Sequence, residues 1–143
     1  MDHQIVALAI RWVHVVAMAT AFGGAALLTW LSWREPLDRV LPIAVRYEQL
    51  FWAAAGTLVM TGVGNLGAFG AALPAPASEW GQTFLLKIVL VALLVLISLP
   101  RSLAIAVLAA RAPSRPDAVR SLYAGSLVLL AGLAALAERM AHG

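Results

Sequence analysis

The run IRWVHVVAM, residues 10–18, is apolar except for an arginine and a histidine three positions apart. On a helix, Arg11, His14 and Met18 follow an i, i+3, i+7 spacing and share one face. An imidazole and a thioether ligate transition metals, and a guanidinium pairs with carboxylates. Lys87 interrupts a second apolar run, and Asn65, Thr61 and Thr20 are milder polar cases. A charged group deep in a bilayer costs about 2.5–3.5 kcal/mol, so each of these needs a reason. The stretch T-G-V-G-N-L-G-A-F-G (61–70) adds Gly62, Gly64, Gly67 and Gly70, where a backbone can approach a neighbouring helix or a flat ligand closely. A glycine-lined helix facing a histidine-bearing one suits haem b, with His14 on the iron and Arg11 at a propionate. On this reading the cofactor-binding residues are His14, Lys87, Arg11, Asn65 and Gly62. The candidate metal ligands are His14, Lys87 and Met18.

The elements that must position these residues are legible from hydropathy. The chain has 143 residues, 62% hydrophobic and 12% charged. Soluble domains carry about 45–50% apolar and about 25% charged residues, so this composition points to a lipid bilayer. Four runs reach the roughly 20 apolar residues that a membrane crossing needs: 4–33, 47–73, 82–110 and 119–137. The expected fold is all-α, one four-helix transmembrane bundle over residues 1–143. The connections REPLDRVLPIAVR, PAPASEWG and RAPSRPD carry the breakers that end helices. Pro100 falls inside the third run, where it kinks the helix or begins an interfacial extension.

Charge sets the expected orientation. The first connection holds Arg34, Arg39 and Arg46; the third holds Arg111, Arg115 and Arg120, with Arg101 nearby. The second connection has only Glu79. Loops one and three are therefore expected in the cytoplasm and both termini outside, in the periplasm. Trp30, Trp33, Trp52 and Trp80 lie near helix ends, as an aromatic belt would have them. The pI near 10.2 is then a topology signal, with no nucleic acid implied. The N-terminal run lacks a basic n-region and is too long for a cleavable signal peptide. In this frame His14 lies roughly 15 Å below the outer surface, Asn65 roughly 12 Å and Lys87 roughly 8 Å. All three fall in the outer half and can converge.

Blander readings stand beside these. His14 can be a packing residue, Arg11 and Lys87 can snorkel to the interface, and the glycines can serve helix packing alone. Met18 and Met60 can be bundle filler, and His3 and His142 simply solvated. Several chemistries are excluded. Without cysteine there is no disulfide, thiolate site, iron–sulfur cluster or c-type haem. There is no HExxH, no phosphate-binding glycine loop and no second deep histidine. The spans are read as lacking a central carboxylate, which argues against a proton-coupled transporter.

The stretches R-W-V-H-V-V-A-M-A-T-A-F-G-G (11–24), T-G-V-G-N-L (61–66) and W-G-Q-T-F-L-L-K-I-V-L-V-A-L-L (80–94) resemble the CopD-type copper-resistance membrane domain. The likeness spans roughly residues 11–137. Pro100-Arg101 stands where such domains often have Asn-Arg, and R-S-L-Y-A-G-S (120–126) lacks the glutamate they often carry early in helix four. A more distant likeness is to HemJ-type protoporphyrinogen oxidases, in which a first-helix histidine and a third-helix lysine support haem b. That resemblance implies the same roles for His14 and Lys87.

The leading expectation is a haem b protein of a bacterial inner membrane, acting in electron transfer or quinone-linked redox chemistry. Copper handling through His14, Met18 and Met60 is the alternative, and a cofactor-free accessory subunit the third. Almost no mass lies outside the spans, so membrane-protein partner subunits or a homo-oligomer are expected under each. No catalytic residue is assigned.

Overall fold

A computed structural model describes residues 3–67, 75, 77–110 and 116–142, with side chains described except at positions 3, 64–67, 116 and 140–142. It is all-α: α1 (His3–Arg34), α2 (Leu37–Gly67), α3 (Glu79–Ala110) and α4 (Pro116–His142), with no strand among the described residues. Local signals explain the ends. Pro36 stops α1, and its carbonyl then accepts from the Arg39 and Val40 amides, 3.1 and 3.3 Å, starting α2. Ser78 caps α3, its hydroxyl accepting from the Gly81 amide at 3.0 Å. Pro116 opens α4 at the first helical position, with Asp117 in the first turn.

The second helix corrects the expected layout. It begins at Leu37, ten residues before the expected start, so most of REPLDRVLPIAVR is helix and the first connection is only Glu35–Pro36. Arg39 and Arg46 are helical residues, not loop residues. Pro42 sits inside α2, where its ring removes one main-chain donor near the helix start without ending the helix. The expected end of this span, 68–73, lies outside the described residues, as do Arg111 and Arg115 of the third connection. Helix α3 runs through Pro100 to Ala110.

The helices form a ring in which α1 packs on α2 and α4, and α3 on α4 and α2. Neighbours are antiparallel, and α1 and α3 face each other across the diagonal. The core repeats at helical spacing, with Ala17, Ala21, Ala25 and Leu28 on α1 meeting Val40, Ala44, Tyr47 and Phe51 on α2. The small side chains of α1 bring these two helices close. The outside is apolar too: Trp12, Leu103 and Val128 are each well over half exposed. A soluble monomer does not present such a surface. Among the described residues, three helices are long and apolar enough to cross a membrane: Gln4–Arg34, Glu79–Ala110 and Asp117–Arg139.

Two ends can be distinguished without reference to a membrane. The turn end carries the α1–α2 and α3–α4 connections, and the terminal end carries the start of α1 and the end of α4. Arg120 ties the turn end together, donating to the Ser32 carbonyl at 2.7 Å and to Asp117 at 3.0 Å, with its guanidinium 5.1 Å from the Trp33 ring centre. At the terminal end, Arg139 of α4 reaches Glu79 of α3 at 2.9 Å. That pair is exposed and contributes little to stability.

Candidate functional site

His14 lies eleven residues into α1, half-buried, facing α2. Its Nδ1 is 2.7 Å from the Thr61 hydroxyl. Thr61 donates to the Thr57 carbonyl at 2.6 Å, a backbone contact common for threonine in apolar helices. Lys87 lies eight residues into α3, on the diagonally opposed helix, and is also half-buried. Both expected site residues therefore lie in the terminal half. Met18, one turn further along α1, is half-buried against the core. Arg11 is exposed.

The glycines separate on inspection. A Cβ at Gly62 would meet nothing within 4 Å, so no helix–helix contact among the described residues requires a glycine there. Asn65, Gly64 and Gly67 lie on α2 with side positions outside the described residues, and Gly70 lies outside them altogether. Met60, the further candidate copper ligand, is 77% exposed and turned away from His14's neighbours. An apolar groove of about 370 Å³ runs between α1 and α2, walled by Trp12, Val16, Thr20, Leu50, Ala53 and Thr57. His14 is not in its wall.

A second polar cluster, in the turn half, corrects the reading of Arg101. Arg101 was read as a loop-flanking topology signal; it is fully buried, and Glu48 is nearly so. Glu48 is thus a buried carboxylate in the turn half of α2. Arg101 grips Glu48 with two parallel bonds, Nε to Oε1 and Nη2 to Oε2, both 3.0 Å. This is the bidentate fork that suits a guanidinium to a carboxylate. Its Nη1 donates to Ser126 at 2.7 Å, and its plane lies 4.2 Å from the Phe51 ring centre. Glu48 also accepts from Tyr123 at 2.7 Å and from Ser102 at 2.5 Å, and Ser102 accepts from Trp52 Nε1 at 2.9 Å. The carboxylate thus receives four hydrogen bonds from α3 and α4. Tyr123 of α4 joins the cluster through its hydroxyl, and the carboxylate for Arg101 comes from α2.

The two clusters differ chemically. Around Glu48, charges cancel and all four lone-pair directions are used, so this is a clasp joining α2, α3 and α4. Around His14, one ring nitrogen is committed and the other is available. Glu48 and Arg101 were legible only as a pair: each looks like a boundary residue alone, yet 48 and 101 fall at matching heights on antiparallel helices. The core stripe of α3, Leu94–Ser98–Arg101–Ile105, was the available signal.

Ser98 stands in that stripe, fully buried, and its hydroxyl has no partner among the described residues. An unsatisfied buried polar group costs about 1–3 kcal/mol. Ser98→Ala is therefore expected to raise the thermal midpoint in detergent; an unchanged or lower midpoint means the hydroxyl is bonded. Comparison of the chain with family models, with curated proteins and with solved structures finds no match.

Proposed function

We propose that the chain is a small membrane protein that binds haem b in its terminal half and serves electron transfer or quinone-linked redox chemistry. The observation that carries this is the placement of half-buried His14 and Lys87 in the terminal half, on α1 and α3 across the ring of helices. Two nitrogen donors on separate helices would suit haem iron, whose ligands and surroundings tune its redox chemistry. The donor chemistry fits: His14 offers a nitrogen to iron, and Lys87 offers an amine or holds a proton near the site. Gly62, with open space where a Cβ would be, leaves α2 room beside Thr61 for a flat ligand. Arg11, nearly a turn toward the terminal end, would meet a propionate. Asn65 lies one turn beyond Thr61 on α2.

Haem held there supplies reversible one-electron transfer. The protein's part is to orient the ring edge, exclude water with apolar α1 and α3 side chains, and balance propionate charge through Arg11. By the arginine distribution, the terminal half is the periplasmic half of a bacterial inner membrane, and the turn end is cytoplasmic. Partner subunits or a second copy cover part of the apolar exterior. Copper handling is the weaker reading. Met18 keeps its place near His14, but Met60 faces outward, and no group of three His, Cys, Asp or Glu residues gathers among the described residues.

The test is a reduced-minus-oxidised visible spectrum of the purified protein with metal analysis of the same sample. A b-type α-band and a Soret band lost in His14→Ala are expected. Stoichiometric copper without haem absorption, sensitive to Met18→Ala, would move the assignment to copper handling. Neither cofactor, with His14→Ala affecting only assembly, would leave an accessory subunit.

A further inference from the structure

We propose that Thr61 is the positioning residue that holds His14 in its Nδ1-protonated tautomer and so presents Nε2 as the ligating nitrogen. The inference deepens the haem reading and, for its consequence in ligand binding, rests on it.

The argument is one of proton bookkeeping among three groups. The Thr57 carbonyl can only accept, so the 2.6 Å contact from Thr61 places the hydroxyl proton there. The further contact of the same hydroxyl, to the Leu58 carbonyl at 3.3 Å, makes the same demand. A threonine hydroxyl has one proton, and it is used. The 2.7 Å contact with His14 must then be a bond in which Nδ1–H donates to the Thr61 oxygen. A neutral imidazole carries one ring N–H, so Nε2 is left with its lone pair exposed. Metal-ligating histidines are commonly fixed in this way by a bond from the other nitrogen, which sets tautomer and ring orientation together. The helix supplies the rigidity: Thr57 and Thr61 are one turn apart, and Thr57 in turn donates to the Ala53 carbonyl at 2.9 Å.

Thr61→Val keeps the shape and removes the acceptor. Nitrogen NMR of ¹⁵N-histidine protein without cofactor reads the tautomer directly, with His14→Ala identifying the His14 signals against those of His3 and His142. The wild type is expected to show a protonated Nδ1 and an unprotonated Nε2; Thr61→Val is expected to lose that pattern, and Thr61→Ser to keep it. Haem titration is expected to give an affinity about 10–100-fold lower in Thr61→Val and near wild type in Thr61→Ser. If the valine variant does not insert, Thr61→Ala carries the same measurement. A wild-type ring protonated on Nε2, or a valine variant with unchanged tautomer and affinity, overturns the proposal. A wild type with the expected tautomer that binds no haem upholds the role of Thr61 and overturns the haem reading instead.

Discussion

Glu48→Gln is expected to destabilise the bundle by about 3–5 kcal/mol, the cost of leaving a buried charge uncompensated. Arg101 has no exposed surface, and Glu48 provides two of its three side-chain hydrogen bonds. Glutamine keeps the shape but removes the charge, and its amide nitrogen must face a donor at one of the two bonds. The aromatic rings of Phe51, Tyr123 and Tyr47 around the guanidinium offset part of that loss, since a cation over a ring gains up to about 2 kcal/mol when desolvated. They do not replace the anion. The double variant Glu48→Leu/Arg101→Leu is expected to recover most of the loss, because replacing both members of a buried pair by apolar groups is often neutral. Thermal unfolding in detergent reads both. A single variant as stable as wild type, or a double variant worse than the single, would show that the pair is not coupled in this way. His14-dependent spectra are expected to persist in the double variant, since the two clusters stand roughly 20 Å apart along α2.

Much of this architecture was legible in the sequence, and the parts that were not have physical reasons. Helices α1, α3 and α4 follow from long, mostly apolar runs, where length and hydropathy decide. The start of α2 was obscured because Pro36, Asp38, Arg39, Pro42 and Arg46 read as a loop by residue type. The buried set Val40, Leu41, Ala44 and Tyr47 at spacings of three and four shows that this stretch is an amphipathic helix with its charges outward. Counting arginines for topology treated Arg101 like the others, and counting cannot see a partner on another helix. Depth arithmetic brought His14, Lys87 and Asn65 into one half of the bilayer because rise per residue is fixed. It could not choose between Asn65 and Thr61, one turn apart on the same face. That choice needs the azimuth of α1 against α2, which is set by the alanine-rich seam between them and is not carried by any one residue.

The paired glycines at 23 and 24 give the sharpest separation between what a sequence states and what packing demands. Gly24→Ala is expected to cost about 1–3 kcal/mol or more, while Gly23→Ala is expected to be neutral or stabilising by up to about 1 kcal/mol. A Cβ at Gly23 would meet nothing within 4 Å, so alanine there only improves helix propensity. A Cβ at Gly24 would overlap the Tyr47 ring. That ring is poorly placed to move. Its hydroxyl donates to the Ala21 carbonyl at 2.6 Å, and its faces and edges meet Phe51 at 6.0 Å and Tyr123 at 5.8 Å between ring centres. Tyr123 is itself bonded to Glu48, so a methyl group on α1 pushes, through Tyr47, on the clasp that joins α2, α3 and α4. The two alanine variants differ only in position, and share composition, hydropathy and distance along the helix to within one residue. Equal midpoints in detergent would mean that Tyr47 swings aside without loss, and that α1 and α2 are not locked at this level. A midpoint lowered in Gly24→Ala alone would locate the lock at the Gly24–Tyr47 contact, at the height where the Glu48–Arg101 pair is buried.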